Sequence, residues 1–325
     1  GTYLTTKVGK LTTTVNYNYM NQSRKQTENN REEVYNYVKT GEHTHEYGKN
    51  STGATIHFGN ISASYEIDSL NLLTASTNFF GYKVDANTQS TNERWDKNSQ
   101  LIYKFNNDMT TPGYSYVNLG GRFDYQHKTH LDGEVLTLSY MLAATRPHTT
   151  FRQTYSNMVN FPVSYTSYDQ NTRERFTEHT FQIDYVRPFG KHHKIESGTK
   201  YILRYNNSTS LMDYQGTTPD MESKFKHNAQ VAAAYLSYIF TAGKWAARAG
   251  LRYEFTRMKA SYPDGSNPDY HTNLNDWVPS ASLQYKISDS QTLKVSYNTS
   301  INRPGIGYLN PAIISTPTAV SFGNA

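Results

Sequence analysis

Short polar turns recur along the chain at intervals of roughly fifty to sixty residues, each flanked by long stretches of alternating apolar and polar residues. They centre on Asp68-Ser69, Leu131-Asp132-Gly133, Gly190-Lys191-His192, Ala242-Gly243 and Asp289-Ser290, with Gly9-Lys10 as a sixth. Between turns the chain runs out along one strand, crosses a long polar segment and returns along another. Tight turns at one end and long connections at the other are the layout of an antiparallel transmembrane β-barrel, with periplasmic turns and extracellular loops.

The alternation supports that layout strand by strand. In 117–126, Val117, Leu119, Gly121, Phe123 and Tyr125 share one face, and Asn118, Gly120, Arg122, Asp124 and Gln126 the other. A period of two with different chemistry on each side is a strand between two environments. The same reading fits 180–186, 195–205, 244–256, 281–287 and 293–301. Two stretches are less regular. Residues 54–67 switch parity around Gly59-Asn60, which predicts a β-bulge. Residues 229–240 are apolar on both faces and could form a short helix, but their Tyr, Ile and Phe content favours a strand. The count is about twelve strands in six hairpins, with extra or extended strands near 34–47 and 93–105. The Asn-, Thr-, Ser- and Pro-rich segments 21–50, 85–113, 146–172, 206–226 and 257–276 read as loops.

Composition fits a barrel and excludes a helical membrane protein. The longest mostly apolar run, Val231 to Phe240, is about ten residues, whereas a spanning helix needs about 20. Barrel strands need about 9–11, and only alternate residues face lipid, so a mean hydropathy of −0.75 is no obstacle. The 28 Tyr suit interface girdles, where a ring sits in lipid and its hydroxyl in water. The absence of cysteine excludes thiolate metal sites, disulfides and thiol catalysis. Net charge is +5, but the basic and acidic residues are interspersed, which argues against a nucleic-acid partner.

Cost decides which face meets lipid. A Lys or Arg at the bilayer midplane costs about 2–4 kcal/mol, so Arg122, Arg204, Arg248, Arg252 and Lys286 are assigned to the lumen, with Asp124, Asp184 and Glu254 as pairing partners. These eight residues are candidates for contact with a plug or a substrate; salt-bridging within the wall is the equally simple alternative. A wide charged lumen implies a many-stranded barrel, because small barrels fill with side chains.

Two stretches carry a family resemblance. His227 to Lys259, "HNAQVAAAYLSYIFTAGKWAARAGLRYEFTRMK", resembles the "AAYxxY" and "GLRYE" hairpin of TonB-dependent outer-membrane receptors. After Trp277-Val278-Pro279, "SASLQYKISDSQTLKVSYNTSINRPGIGYLNP" resembles the next hairpin, with Arg303, Pro304, Leu309, Asn310 and Pro311 as structural motif positions. The match is best to the outer-membrane-protein β-barrel group common in Bacteroidota, and "SFGNA" resembles its "GNP" segment, with Ala325 where Pro is usual. The resemblance implies residues 1–325 as part of a 22-stranded barrel whose plug domain and closing strands lie outside this chain. It also implies outer-membrane lipid, a TonB complex and, in some relatives, a surface lipoprotein as partners. The implied role is active uptake of a scarce nutrient, without a cofactor.

No catalytic motif is present: there is no Gly-x-Ser-x-Gly, phosphate-cradling loop or His-Glu-x-x-His, so the chain is not read as an enzyme. His43-Thr44-His45 and His192-His193 could contribute metal ligands but are more simply loop or turn histidines. Asp264 to Asp269 is oxygen-rich yet lacks EF-hand spacing. Tyr- and Asn-rich loops could stack on a glycan. The rival readings are a passive porin, a structural or adhesive barrel, and a secreted β-rich carbohydrate-binding protein.

Overall fold

In the computed structural model, residues 1–302 are described together with Ile314, Ser315, Pro317, Val320 and Ser321. Arg303, Pro304, Leu309, Asn310, Pro311 and the "GNA" end lie outside the described residues. One antiparallel sheet of 13 strands contains nearly all of the chain. In chain order the strands are β1 (Thr2–Val8), β2 (Leu11–Gln22), β3 (Asn29–Tyr37), β4 (Glu42–Glu66), β5 (Asn71–Trp95), β6 (Leu101–Lys128), β7 (Val135–Val159), β8 (Tyr165–Phe189), β9 (His193–Gly216), β10 (Met221–Ala242), β11 (Trp245–Ser261), β12 (Tyr270–Lys286) and β13 (Thr292–Asn298). A one-turn helix, α1 (Arg24–Thr27), precedes β3. Each strand pairs with its chain neighbour, except that β2 pairs with β4 and β3 lies beside the tip of β4. Among the described residues β1 and β13 do not pair, so the sheet is open.

All six expected turns are hairpin connections. Gly9, Gly133, Gly190 and Gly243 adopt φ of +58°, +80°, +61° and +56°, the left-handed region in which a Cβ is strained. At Asp68 the carboxylate accepts the Leu70 and Asn71 amides, both at 2.8 Å, closing the turn without a glycine.

Two expectations are corrected and a third holds. The segments read as long loops are mostly strand: β5 ends at Trp95 and β6 resumes at Leu101, and β9 and β10 are separated only by residues 217–220. Beyond the membrane neither face of a hairpin meets lipid. Thr, Asn and Tyr therefore pair without the apolar alternation that marks a strand in sequence. Second, no bulge occurs at Gly59-Asn60; the β4–β5 register runs unbroken from His43↔Trp95 to Glu66↔Leu72. The parity switch arises because Phe58 stands opposite Phe80 on the polar face, while Gly59 leaves room for the Phe79 ring. Residues 229–240 are strand throughout, as their Tyr, Ile and Phe content predicted.

Burial is inverted relative to a soluble protein. Along β10, Ser223, Phe225, His227, Ala229, Val231, Ala233 and Ser237 are buried, while Ala232, Ala234, Leu236 and Tyr238 between them are exposed. Thr256 and Thr180 are almost fully buried, yet Leu236, Leu251, Trp277 and Leu283 are exposed. Among the described residues no second layer covers the sheet, so one face is sheltered by the sheet curling upon itself, placing polar residues inside and apolar ones outside. An outward apolar surface of this extent needs a non-aqueous surround.

Aromatic pairs mark its limits. Trp245 and Tyr285 lie 4.5 Å apart at the turn end, and Tyr253 and Trp277 lie 4.8 Å apart eight residues further out. That separation is about 26 Å along the strands, or about 20 Å along the normal at a tilt of about 40°. It approaches the apolar band of a membrane barrel.

Candidate functional site: the inner wall

The inner face carries charge in neutralised pairs. Arg122 and Asp124 sit two apart on β6 and meet at 2.7 Å; Ser139 on β7 and Thr74 on β5 also donate to the carboxylate. Arg252 and Glu254 repeat the arrangement on β11 at 2.6 Å. Alternation explains both, since residues i and i+2 share a face and long side chains bridge that spacing. Arg204 pairs with its cross-strand partner Glu178 at 2.5 Å. Arg248 reaches across β10 to Glu196 on β9 at 2.8 Å, past Gly250 and Ser237, and Glu196 also takes Lys194 at 2.8 Å.

Of the eight candidates, Arg122, Asp124, Asp184, Arg204, Arg248, Arg252 and Glu254 line this wall. The pairing differs in detail from the expectation. Asp184 takes no arginine; it accepts Gln182 at 2.8 Å and the Tyr235 hydroxyl. Glu178 and Glu196 are the carboxylates that complete the pairs. Lys286 has the same inward parity but stands at the mouth of the last turn, where it bonds the fully exposed Asp289 at 2.7 Å.

The inner face also bears an aromatic patch that alternation alone did not reveal. Phe80, Tyr82, Tyr114 and Tyr116 gather on β5 and β6, with ring centroids 5.3 to 6.1 Å apart. Their inward parity follows from the register, which sets Tyr82 opposite Tyr116 and keeps Phe79 and Val117 outside. Only the strand pairing makes these four neighbours; in sequence they are two separate doublets.

At the outer tips of β6 to β9, Tyr103, Phe105, Tyr155, Tyr165, Tyr168 and Met212 form a buried cluster within segments read as polar loops. Burial raises the Tyr168 phenol to about 12, and raises Tyr155 further. Both stay neutral at any physiological pH. The tip of β10 holds His227, whose Nδ1 lies 3.2 Å from Asn206 Nδ2. Burial, then the nearby Arg204 charge, lowers its pKa and keeps the ring neutral.

The histidine pairs are engaged by protein groups. His43 stacks on Trp95, and His45 meets Glu32 at 2.9 Å. His192 and His193 bond the Thr241 carbonyl and the Tyr238 hydroxyl. Among the described residues no three His, Asp or Glu converge as a metal cluster. Asp264 accepts the Lys224 and Ser266 amides, and Asp269 accepts the Tyr262 amide at 3.3 Å, so both carboxylates close a turn. Neutralised charge, amides and rings on a broad wall suit contact with a filling domain or a passing solute.

No curated protein matches the sequence. Among solved structures, the ferric citrate transporter FecA in its unliganded form aligns at a TM-score of 0.48 and 14% identity, over 88% of this chain and 43% of that chain. The chain thus spans less than half the length of that relative. The outer membrane protease OmpT of Escherichia coli aligns at a TM-score of 0.27 and 11% identity, over 83% of this chain and 96% of that one. The sequence model of the outer membrane protein beta-barrel family matches residues 127–325, more than half of the chain. With its polar inner wall, apolar outer wall and paired girdles, the chain belongs to the outer membrane protein beta-barrel family and resides in the outer membrane of a Gram-negative bacterium.

Proposed function

We propose that the chain is barrel wall of a TonB-dependent receptor that actively imports a scarce nutrient. The observation that carries this reading is the inner wall itself. Seven charged candidates and the aromatic patch line a face too polar and too extended to be closed by its own side chains, as a small barrel would be. Such a wall suits a lumen occupied by a separate plug domain, which its fixed ion pairs and hydroxyls would contact, and a cargo admitted from the extracellular tips. In this reading the wall transports and does no bond-making chemistry.

The test is uptake by cells expressing the full-length protein, supplied with candidate nutrients as sole source, in the presence and absence of TonB. Growth that collapses without TonB or with a dissipated proton-motive force supports active import. Growth that persists in both conditions would replace it with the passive-porin reading.

A further inference from the structure

On the outer surface the apolar band ends abruptly. Outward positions on β7 are Leu136, Leu138, Tyr140, Leu142 and Ala144, and the next is Arg146. On β8 they are Tyr185, Ile183, Phe181, His179 and Thr177, and the next is Arg175, followed by Arg173. The register places these cations together. Thr145 pairs with Phe176 and His148 with Arg173, so Arg146 and Arg175 face each other across the intervening rung. Arg146 also stands opposite Val117 on β6, which fixes it on the lipid side.

Like charges directly opposite on a sheet repel, and here nothing offsets them. All three arginines are exposed, and among the described residues none makes a salt bridge. The surrounding charges do not help: Asp169 further out is held by Arg152 in a two-point pair, and Glu178 faces inward to Arg204. By contrast, every inward arginine of the candidate wall has a carboxylate within 3 Å. Arg257 and Lys83 are likewise the first outward residues beyond the apolar band on β11 and β5.

Six residues turnward of Arg146 and Arg175, past Leu142, Ala144, His179 and Thr177, or about 20 Å along the strands, an apolar groove of about 730 Å³ opens on the same face at Tyr140 and Phe181. Ala232 and Ala234 leave it hollow, and Phe181, Tyr201, Tyr253 and Phe255 wall it. We propose that this surface binds a phosphorylated glycolipid of the outer leaflet, with acyl chains in the groove and phosphate on Arg146, Arg173 and Arg175. Guanidinium forks match phosphate oxygens in two-point geometry, and the groove continues the lipid-facing band without interruption. The proposal rests on the outer-membrane location and is independent of the uptake reading.

The test uses full-length protein, purified in detergent and stripped of lipid, with lipid binding read by native mass spectrometry. Folding of each variant is checked by the heat-dependent gel shift of an intact barrel. The probes are diphosphoryl lipid A, the same lipid with its phosphates removed, and inorganic phosphate. At about fivefold for each cation, the triple variant Arg146→Gln, Arg173→Gln, Arg175→Gln weakens diphosphoryl lipid A binding by roughly a hundredfold. Lysine at the same three positions retains most of the affinity, and Lys25→Gln, Lys39→Gln, Lys97→Gln at the exposed tips leaves it unchanged. Removing the phosphates from the lipid weakens binding to the unaltered protein by a similar factor, an arm that needs no variant to fold. Equal binding of the phosphate-free lipid, or by the glutamine variant, would overturn the proposal. So would inorganic phosphate displacing the lipid at comparable concentration, which would make this a free-anion site.

Discussion

The indole of Trp277 lies 4.8 Å from the ring of Tyr253, across β11 and β12 and at the outer limit of the apolar band. Trp245 occupies the corresponding inner limit beside Tyr285. Trp95 sits at the far tip of β5, stacked on His43 and well outside that band. In single-tryptophan variants reconstituted into brominated lipid, Trp245 and Trp277 are therefore expected to be quenched by bromines placed near the headgroups. Trp95 stays bright. Strong quenching of Trp95, or none of Trp277, would remove the assigned membrane position.

Glu254 is almost wholly buried and holds Arg252 through two guanidinium nitrogens, at 2.6 and 3.0 Å. Glu254→Gln leaves the cation without its counter-charge and is expected to destabilise by about 3 kcal/mol, the low end for a broken buried pair because Arg252 is partly exposed. Asp289→Asn, at a fully exposed turn, leaves stability essentially unchanged, because solvent screens the pair. The temperature at which the folded band is lost on SDS gels ranks the two.

Hydroxyls on the inner wall separate by partner. Thr256 Oγ1 is buried with no hydrogen-bond partner among the described residues, so Thr256→Val removes an unsatisfied group at nearly constant volume. It is expected to be neutral or stabilising by up to about 1 kcal/mol. The Ser139 hydroxyl donates to Asp124 at 2.5 Å, and Ser139→Ala is expected to cost about 1.5–3 kcal/mol. The same thermal assay reads both, and a reversed order would contradict the assigned bonding.

His227 gives the tip of β10 a pH dependence with a definite sign. Its folded pKa lies below the ordinary imidazole value near 6.5. The unfolded chain therefore binds the proton more readily, and stability falls as pH drops below about 6.5 towards the folded pKa. Above 6.5 the group contributes no slope. His227→Leu flattens the loss on acidification below pH 6.5, seen as a smaller shift of the thermal transition.

The transmembrane half of the sheet was legible because lipid on one side and polar surroundings on the other write a period of two into each strand. Turn positions and strand identities followed from that signal, and so did the face each charged candidate occupies. Parity fixes a face and not a height: Lys286 shares the inner parity of Ser282 and Gln284 but stands beside the last turn, where it bonds Asp289. The outer halves of the hairpins were legible only in part, near 34–47 and 93–105, for the opposite reason. With water or protein on both sides, Asn87 to Asn92 carries no lipid-driven alternation and backbone pairing makes it strand, whereas Leu101 to Phe105 sets Tyr103 and Phe105 on one buried face. The inner aromatic patch and the facing Arg146 and Arg175 depend on which residues pair across strands, information absent from any single segment.

The register breaks divide the sheet mechanically. Between β5 and β6 the pairing shifts at Val84/Ala86, and between β6 and β7 at Thr110/Ser115, both just beyond the apolar band. From β9 through β12 the pairing of adjacent strands runs from tip to turn without a shift. One sector is therefore jointed at the membrane surface, and the other is a continuous blade. A sideways force on the tips of β9 to β12 tilts the whole wall beneath them, whereas the same force on β5 to β7 is absorbed at the joint.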